Sequence, residues 1–381
     1  MSKTQKIETT MEVVRTLVGL VIAYAVALVI LYAISDDPVY IVRQFILGPF
    51  SSPRRIGSVI NLAIPFTICG LSMCFMYAVN RFNLVPEGIF MLSACTVTFV
   101  SVKLGNALPA PVMLPLLFLV AALTGVVMAF IPAIMERKFN ANVVVVSLML
   151  NSIIGFLATW IMRYHMKDNT IAFIGSLELP ENAQMPRLFS NVQGKEGFFA
   201  VLKSFRVQSG LIIAILCVVL VAILFYKTSF GWKMRLVGEN PQFAGAVGLS
   251  AVGISFAAQL IGGGVAGIAG ATEMLGNYTR FQWTATTQHG FDGLLVAVLA
   301  KKNPALVPIG ALFLAYIRIG ADVVNTSGDI PKEFITVIQG IIILLIAAES
   351  FMSGTKHKLI FKAAEKEEAA RKQKQQANTA A

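Results

Sequence analysis

Charge is scarce in this 381-residue chain: Asp, Glu, Lys and Arg together make up 13% of it, beside four cysteines and three histidines. Each shortage removes a class of function. His165, His289 and His357 are scattered, and Cys69, Cys74, Cys95 and Cys217 sit in apolar stretches without C-x-x-C spacing, so neither a metal site nor a disulfide framework is predicted. No G-x-x-x-x-G-K-[ST], H-E-x-x-H or G-x-S-x-G occurs, which leaves nucleotide hydrolysis, metalloprotease chemistry and the hydrolase elbow without their residues. No motif asks for a cofactor. The net charge of +11 does not point to nucleic acid, because the basic residues lie between apolar blocks and not in one patch interleaved with aromatics.

What is abundant is apolar surface. Hydrophobic residues make up 56% of the chain and the mean hydropathy is +0.73, and these residues come in blocks. A helix crossing the roughly 30 Å hydrocarbon core needs about 20 such residues, since lipid offers the backbone no partners. Blocks of this kind are predicted at 16–34, 57–78, 88–103, 111–135, 143–162, 209–226, 251–275, 286–300, 305–323 and 333–351, with those at 88–103 and 286–300 short for a full crossing. The fold class is therefore an all-α polytopic membrane protein of about ten helices. Residues 1–352 form one transmembrane domain, with halves 1–163 and 209–352 of opposite topology joined by an outer segment, 164–208; a basic, polar tail follows at 353–381. The first block is too long for a signal core of about 7–15 residues and is predicted to be a retained span.

Lys and Arg crowd the segments that are cytoplasmic when the N-terminus is inside (Lys3, Lys6, Arg15, Arg81, Arg137, Lys138, Lys227, Lys233, Arg235, Lys301, Lys302 and the tail). The short outer loops hold Arg43, Arg54, Arg55, Arg280 and Lys332, so both termini are predicted inside. In the outer segment, Phe198, Phe199, Leu202 and Phe205 fall at helical spacing, which fits either an interfacial helix or one packed on the other spans.

Polar groups within spans are costly, so each invites a function. Arg318 and Asp322 lie one turn apart and are predicted to pair inside the membrane. RFNLVPEGIFMLSA places Asn83 and Glu87 at the start of one short span, and QHGFDGLLVAVLA places His289 and Asp292 at the start of the other. Phe82-Asn83 overlays Phe291-Asp292. Short, interrupted spans in matching positions of two halves point to a mid-membrane site, though helix capping accounts for Asn and Asp equally well. Glu273 closes GGGVAGIAGATEMLG, whose G-x-G-x-x-G has no preceding strand; Gly263, Gly267 and Ala271 instead repeat every fourth residue, a pattern for close helix packing in lipid. VGENPQFAGAVGLS is the polar exception. Asn240 suits a helix cap and Pro241 the first helical position, with Phe243, Ala244 and Val247 on one face, to be covered by a partner or by the chain's own loops.

Taken together and in order from about residue 57 to 325, VGENPQFAGAVGLS, GGGVAGIAGATEMLG, HGFDGLLVAVLAKKNP and Arg318-Ile319-Gly320-Ala321 resemble the membrane subunit of bacterial ABC importers of the branched-chain amino acid, ribose and nucleoside permease group. RFNLVPEGIFMLSA is similar to the F-N-[IL]-G-x-E-G-Q signature of the nucleoside-type branch, and ENAQMPRL looks like another segment common there. The resemblance implies a multi-pass protein of the bacterial cytoplasmic membrane, without its own ATPase. It implies a second homologous or identical permease, two cytoplasmic ATP-binding subunits and an extracytoplasmic solute-binding protein as partners. It assigns ATPase coupling to Gly238, Glu239, Asn240 and Pro241, beside Phe243. It assigns the translocation path to Phe82, Asn83, Glu87, Gly88, Phe291, Asp292 and Gly293, to which the residue reading adds Glu273 and His289. Val85, Pro86 and Ile89 depart from the family pattern beside that path, which bears on the substrate. The rivals are a gradient-driven transporter with ion sites at Glu87, Glu273 and Asp292, and a membrane enzyme using His289 and Asp292 as its acid/base pair.

Overall fold

The computed structural model describes residues 37–188 and 204–327, together with Val29 and Gly340. The chain divides into two units, Met1–Val42 with Gly328–Ala381, and Arg43–Ser327. In the first, the described residues are Val29, 37–42 and Gly340. The predicted spans at 16–34 and 333–351, the helix proposed around Phe198, Phe199 and Leu202, and the tail lie outside the described residues.

The described helices are α1 (Pro38–Leu47), α2 (Pro53–Ala78), α3 (Pro86–Leu104), α4 (Ala110–Phe139), α5 (Val143–Ile161), α6 (Gly210–Lys227), α7 (Ser229–Glu239), α8 (Pro241–Ala246), α9 (Ala251–Asn277), α10 (His289–Leu299) and α11 (Val307–Ser327). Among the described residues no strand forms, and seven helices are long and apolar enough to cross a membrane: α2, α3, α4, α5 with the π-turn that continues it to Met166, α6, α9 and α11. All eight predicted spans between 57 and 323 fall on helices, and the block at 286–300 is the short one, α10 at 11 residues. α7 was not foreseen; SFGWKMRLVGE reads as a charged loop, but Thr228 accepts the Gly231 amide at 3.2 Å and starts a helix there.

The most apolar helices are not the most buried. α2 has 78% of its apolar window inside the protein, against 22% for α4 and 28% for α6. Leu119, Leu123 and Val127 on α4, Phe156 on α5 and Ile212 on α6 are about half exposed or more, a liability in water and the normal state in lipid. Because lipid tails are as apolar as leucine, contact between spans is driven by close packing, for which small residues matter. α9 against α4 is that case. A Cβ on Gly263 would lie 2.3 Å from the Ala129 Cβ, one on Gly267 2.1 Å from the Ala121 carbonyl oxygen, and one on Gly125 2.1 Å from the Gly263 carbonyl oxygen. The G-x-G-x-x-G is thus a helix-packing face, as its spacing predicts.

Candidate functional site

The starts of α3 and α10 meet; α3, predicted to be short, runs 19 residues, enough to cross, and α10 is the short one. α3 starts with Pro86 at its first position, and α10 starts after Gln288, which is left-handed (φ 63°) and offers no side-chain cap. Glu87 supplies that cap across the bundle: it accepts the backbone N–H groups of Gln288 at 2.7 Å, Gly290 at 2.8 Å and Phe291 at 3.3 Å. First-turn N–H groups have no partner within their helix, and the helix dipole favours a negative charge there. Gly290 makes the approach possible, since a Cβ would lie 2.5 Å from the Glu87 Cα. Gly88 and Gly293 are close-packing positions too: a Cβ on Gly88 would meet Asn151 Oδ1 at 2.7 Å, and one on Gly293 the Cys69 Cβ at 2.5 Å.

Asp292 caps nothing. It is buried, and its Oδ1 accepts from Arg318 Nη2 at 2.7 Å. The predicted ion pair is corrected here: Arg318 reaches from α11 to Asp292 on α10, while Asp322 lies exposed one turn along the same helix. A buried carboxylate demands a cation far more strongly than an exposed one, so the pair forms across helices. The Arg318 guanidinium also lies 5.6 Å from the Phe66 ring centre. Asn83 divides its amide: Oδ1 accepts the Val85 N–H at 3.0 Å, the turn-forming role, and Nδ2 donates to Gln259 Oε1 at 2.7 Å.

His289 stacks on Phe90 with centroids 4.8 Å apart and 8° between planes, and Phe90 stacks on Trp283 at 5.7 Å. Its Nδ1 lies 3.0 Å from the Thr287 carbonyl oxygen. Among the described residues no hydrogen bond joins His289 to Asp292, the pair that an enzyme reading would need. Glu273 is buried in α9 and accepts from Asn277 Nδ2 at 3.0 Å. Phe82 is half exposed and edge-on to Tyr77, and Phe291 is half-buried. Buried polar groups are seldom left unpaired, yet Asp292 Oδ2, Arg318 Nε, Thr287 Oγ1 and Glu273 Oε2 have no hydrogen-bond partner among the described residues.

Sequence reasoning missed two networks. One straps residues 166–185 to the α9–α10 connection: Ser176 N–H donates to the Phe281 carbonyl at 2.9 Å, Leu179 to Thr279 at 2.8 Å and Met185 to Leu275 at 2.8 Å. Asn182, in ENAQMPRL, donates to the Leu108 carbonyl at 2.6 Å and pins the α3–α4 turn. Arg280 pairs with Asp168 and, at 2.9 Å, with Glu178. The Thr170 hydroxyl (2.5 Å) and amide (2.9 Å), then Arg280, hold the Asp168 carboxyl down to about 2. Its contribution to stability is complete above pH 3.8 and is lost as pH falls toward about 2. The native protein should therefore unfold at a higher temperature than Asp168→Asn at pH 6, and the difference should close by pH 2, in thermal unfolding in detergent. The other network, built on Gln259 and Asn151, grips the start of α3. A lone amide in an apolar span was its available signal.

VGENPQFAGAVGLS forms the end of α7 and all of α8. Asn240 Oδ1 accepts the Phe243 amide at 2.9 Å with Pro241 at the first helical position, as predicted. The predicted apolar face divides: Ala244 is fully buried, whereas Phe243 and Val247 are 52% and 51% exposed. Gly238 lies under α2, where a Cβ would sit 2.0 Å from the Ala78 carbonyl oxygen.

Residues 55–347 match the family model described as "Branched-chain amino acid transport system / permease component". The chain belongs to this permease family. The permease is similar to the glucose ABC transporter permease protein TsgB13 of Haloferax volcanii, at 29% identity over 86% of this chain and 85% of that one. It is similar to the nucleoside ABC transporter permease protein NupB of Lactococcus lactis, at 25% over 89% and 92%. A third relative is the guanosine ABC transporter permease protein NupP of Bacillus subtilis, at 27% over 79% and 83%. It is thus a multi-pass permease component of an ABC transporter and not itself an enzyme.

Proposed function

We propose that the permease forms the translocation path of an importer for a neutral polar solute, a nucleoside, with alternating access driven by separate ATPase subunits that dock on α8. The unpartnered buried atoms Asp292 Oδ2, Arg318 Nε and Thr287 Oγ1 beside the Phe90–His289 stack carry this reading. They offer donors and acceptors to ribose and base edges next to aromatic faces. Neutrality follows from the charge balance, since Glu87 is spent on a helix start and Asp292 on Arg318. A charged solute would compete with both. The contacts number few, and weak contacts suit release. Nucleoside-type relatives and the F-N-L-V-P-E-G stretch from Phe82 to Gly88 support the class.

The solute comes from an extracytoplasmic binding protein, and a second permease subunit completes the path. The domain spans residues 1–352 with both termini cytoplasmic, and Phe243 and Val247 on α8 face the ATPase. Uptake in proteoliposomes holding the permease, its ATPase and its binding protein tests the proposal. Labelled guanosine should accumulate with ATP even when proton and sodium gradients are collapsed. Accumulation driven by a gradient without ATP overturns the mechanism, and preference for glucose, which the Haloferax volcanii relative is named for, moves the substrate to a hexose.

A further inference from the structure

The loop between α2 and α3 is held by a continuous chain of polar side chains that the path and coupling residues do not account for. Arg81 Nε lies 2.7 Å from Glu136 Oε1 on α4; Gln259 Nε2 on α9 donates to Glu136 Oε2 at 2.8 Å; and Asn83 Nδ2 donates to Gln259 Oε1 at 2.7 Å. Gln259 and Asn83 are buried, so that end of the chain is shielded from water. Arg81, Glu136 and Gln259 line a cavity of about 240 Å³ with Arg137, Asn140 and Ser255. The inner end of the chain is Asn83, four residues before Glu87.

Both ends of this loop touch parts that connect to α8. Gly238, two residues before the Asn240 cap, packs against Ala78 at the end of α2. α9 begins at Ala251, four residues after Val247, and carries Gln259 in its first turns. Across the same loop, Ser147 and Asn151 of α5 hold Leu84, the former through its N–H at 3.1 Å and the latter through its carbonyl at 2.9 Å. A displacement of α8 therefore moves Gly238 and Gln259, and with them a loop that leads directly into Glu87, the cap of α10. A buried amide has strict demands: an unmade bond at Gln259 or Glu136 is costly, so the chain favours being fully made or fully opened.

We propose that the Arg81–Glu136–Gln259–Asn83 chain is a latch for the cytoplasmic end of the path, with Gln259 and Glu136 as positioning residues that tie the attitude of α8 to the Glu87 cap of α10. The latch rests on the reading of α8 as the ATPase dock. In the resting state it is closed; when the ATPase moves α8, Gln259 parts from Glu136 and Asn83, and the start of α3 is released.

The test is a polarity swap scored as solute carried per ATP hydrolysed, in the full complex in proteoliposomes. Gln259→Glu places a second carboxylate against Glu136 and should lower that ratio about tenfold. Glu136→Gln combined with Gln259→Glu restores an amide–carboxylate bond in the opposite sense and should return the ratio to within about twofold of native. A merely space-filling role predicts no such rescue. Two results overturn the latch: a Gln259→Glu protein with the native ratio, or a double variant no better than the single. If the single variant fails to assemble, the double variant alone decides, its recovery of assembly and coupled uptake supporting the latch and its failure overturning it. A native complex without ATP-driven uptake overturns the functional reading and the latch together, whereas native uptake with no effect of the swap overturns only the latch.

Discussion

Replacing the stretch by Glu239→Gly, Asn240→Ser and Pro241→Gly is expected to abolish ATP-driven uptake, with the permease still inserted and folded. α8 has six residues, too few to hold a helix by its own hydrogen bonds. Its stability comes from the Asn240 cap, from Pro241 and from the buried Ala244. Serine keeps a cap, but the glycines at 239 and 241 return backbone entropy, Pro241 to glycine foremost, a loss of about 0.4–1 kcal/mol per position. The exposed Phe243 and Val247 then have no fixed direction in which to meet a partner. Co-purification of the ATPase and uptake in proteoliposomes are the measurements. Native levels of both would show that α8 is an internal packing helix.

Asp292→Ala is expected to lower the yield of assembled protein severely, because it leaves Arg318 without its ion-pair partner. Removing one member of a buried pair costs about 3–5 kcal/mol, reduced here in proportion to the 24% exposure of the Arg318 side chain. Adding Arg318→Met removes the stranded charge and should recover most of the assembly. Uptake by that double variant separates two roles of the pair. A path role keeps uptake down by about tenfold or more, the effect of losing directional polar groups. A purely structural role gives native uptake kinetics. Asp292→Asn, which keeps an acceptor for Arg318, should fall between the two in stability.

The spans were legible because lipid imposes one rule on every crossing segment, and seven of the eight blocks between 57 and 323 obeyed it, α10 being the exception. The packing face of α9 was legible for the same reason, since Gly263 and Gly267 repeat at the helical interval. The site was legible as a list and not as a wiring diagram. Glu87, Asn83 and Asp292 were singled out as costly polar residues, yet which group caps which helix depends on contacts some 200 positions apart. Local spacing suggested Arg318 with Asp322; burial chose Asp292. Asp168, Arg280 and Gln259 were missed because their pairing partners come from other elements, Thr170 apart, and nothing nearby in the chain announces them. α7 was missed because its two basic residues, Lys233 and Arg235, break the apolar pattern that would have marked a helix.

The cap on α10 has a consequence for biogenesis. A helix of 11 residues that lacks a cap of its own leaves the insertion machinery with bare N–H groups that lipid will not accept. Its only cap among the described residues is the carboxylate at the head of α3, made about 200 residues earlier. α10 is therefore expected to become stable in the membrane only once α3 is in place, so that the order of synthesis is also the order in which its start can be capped.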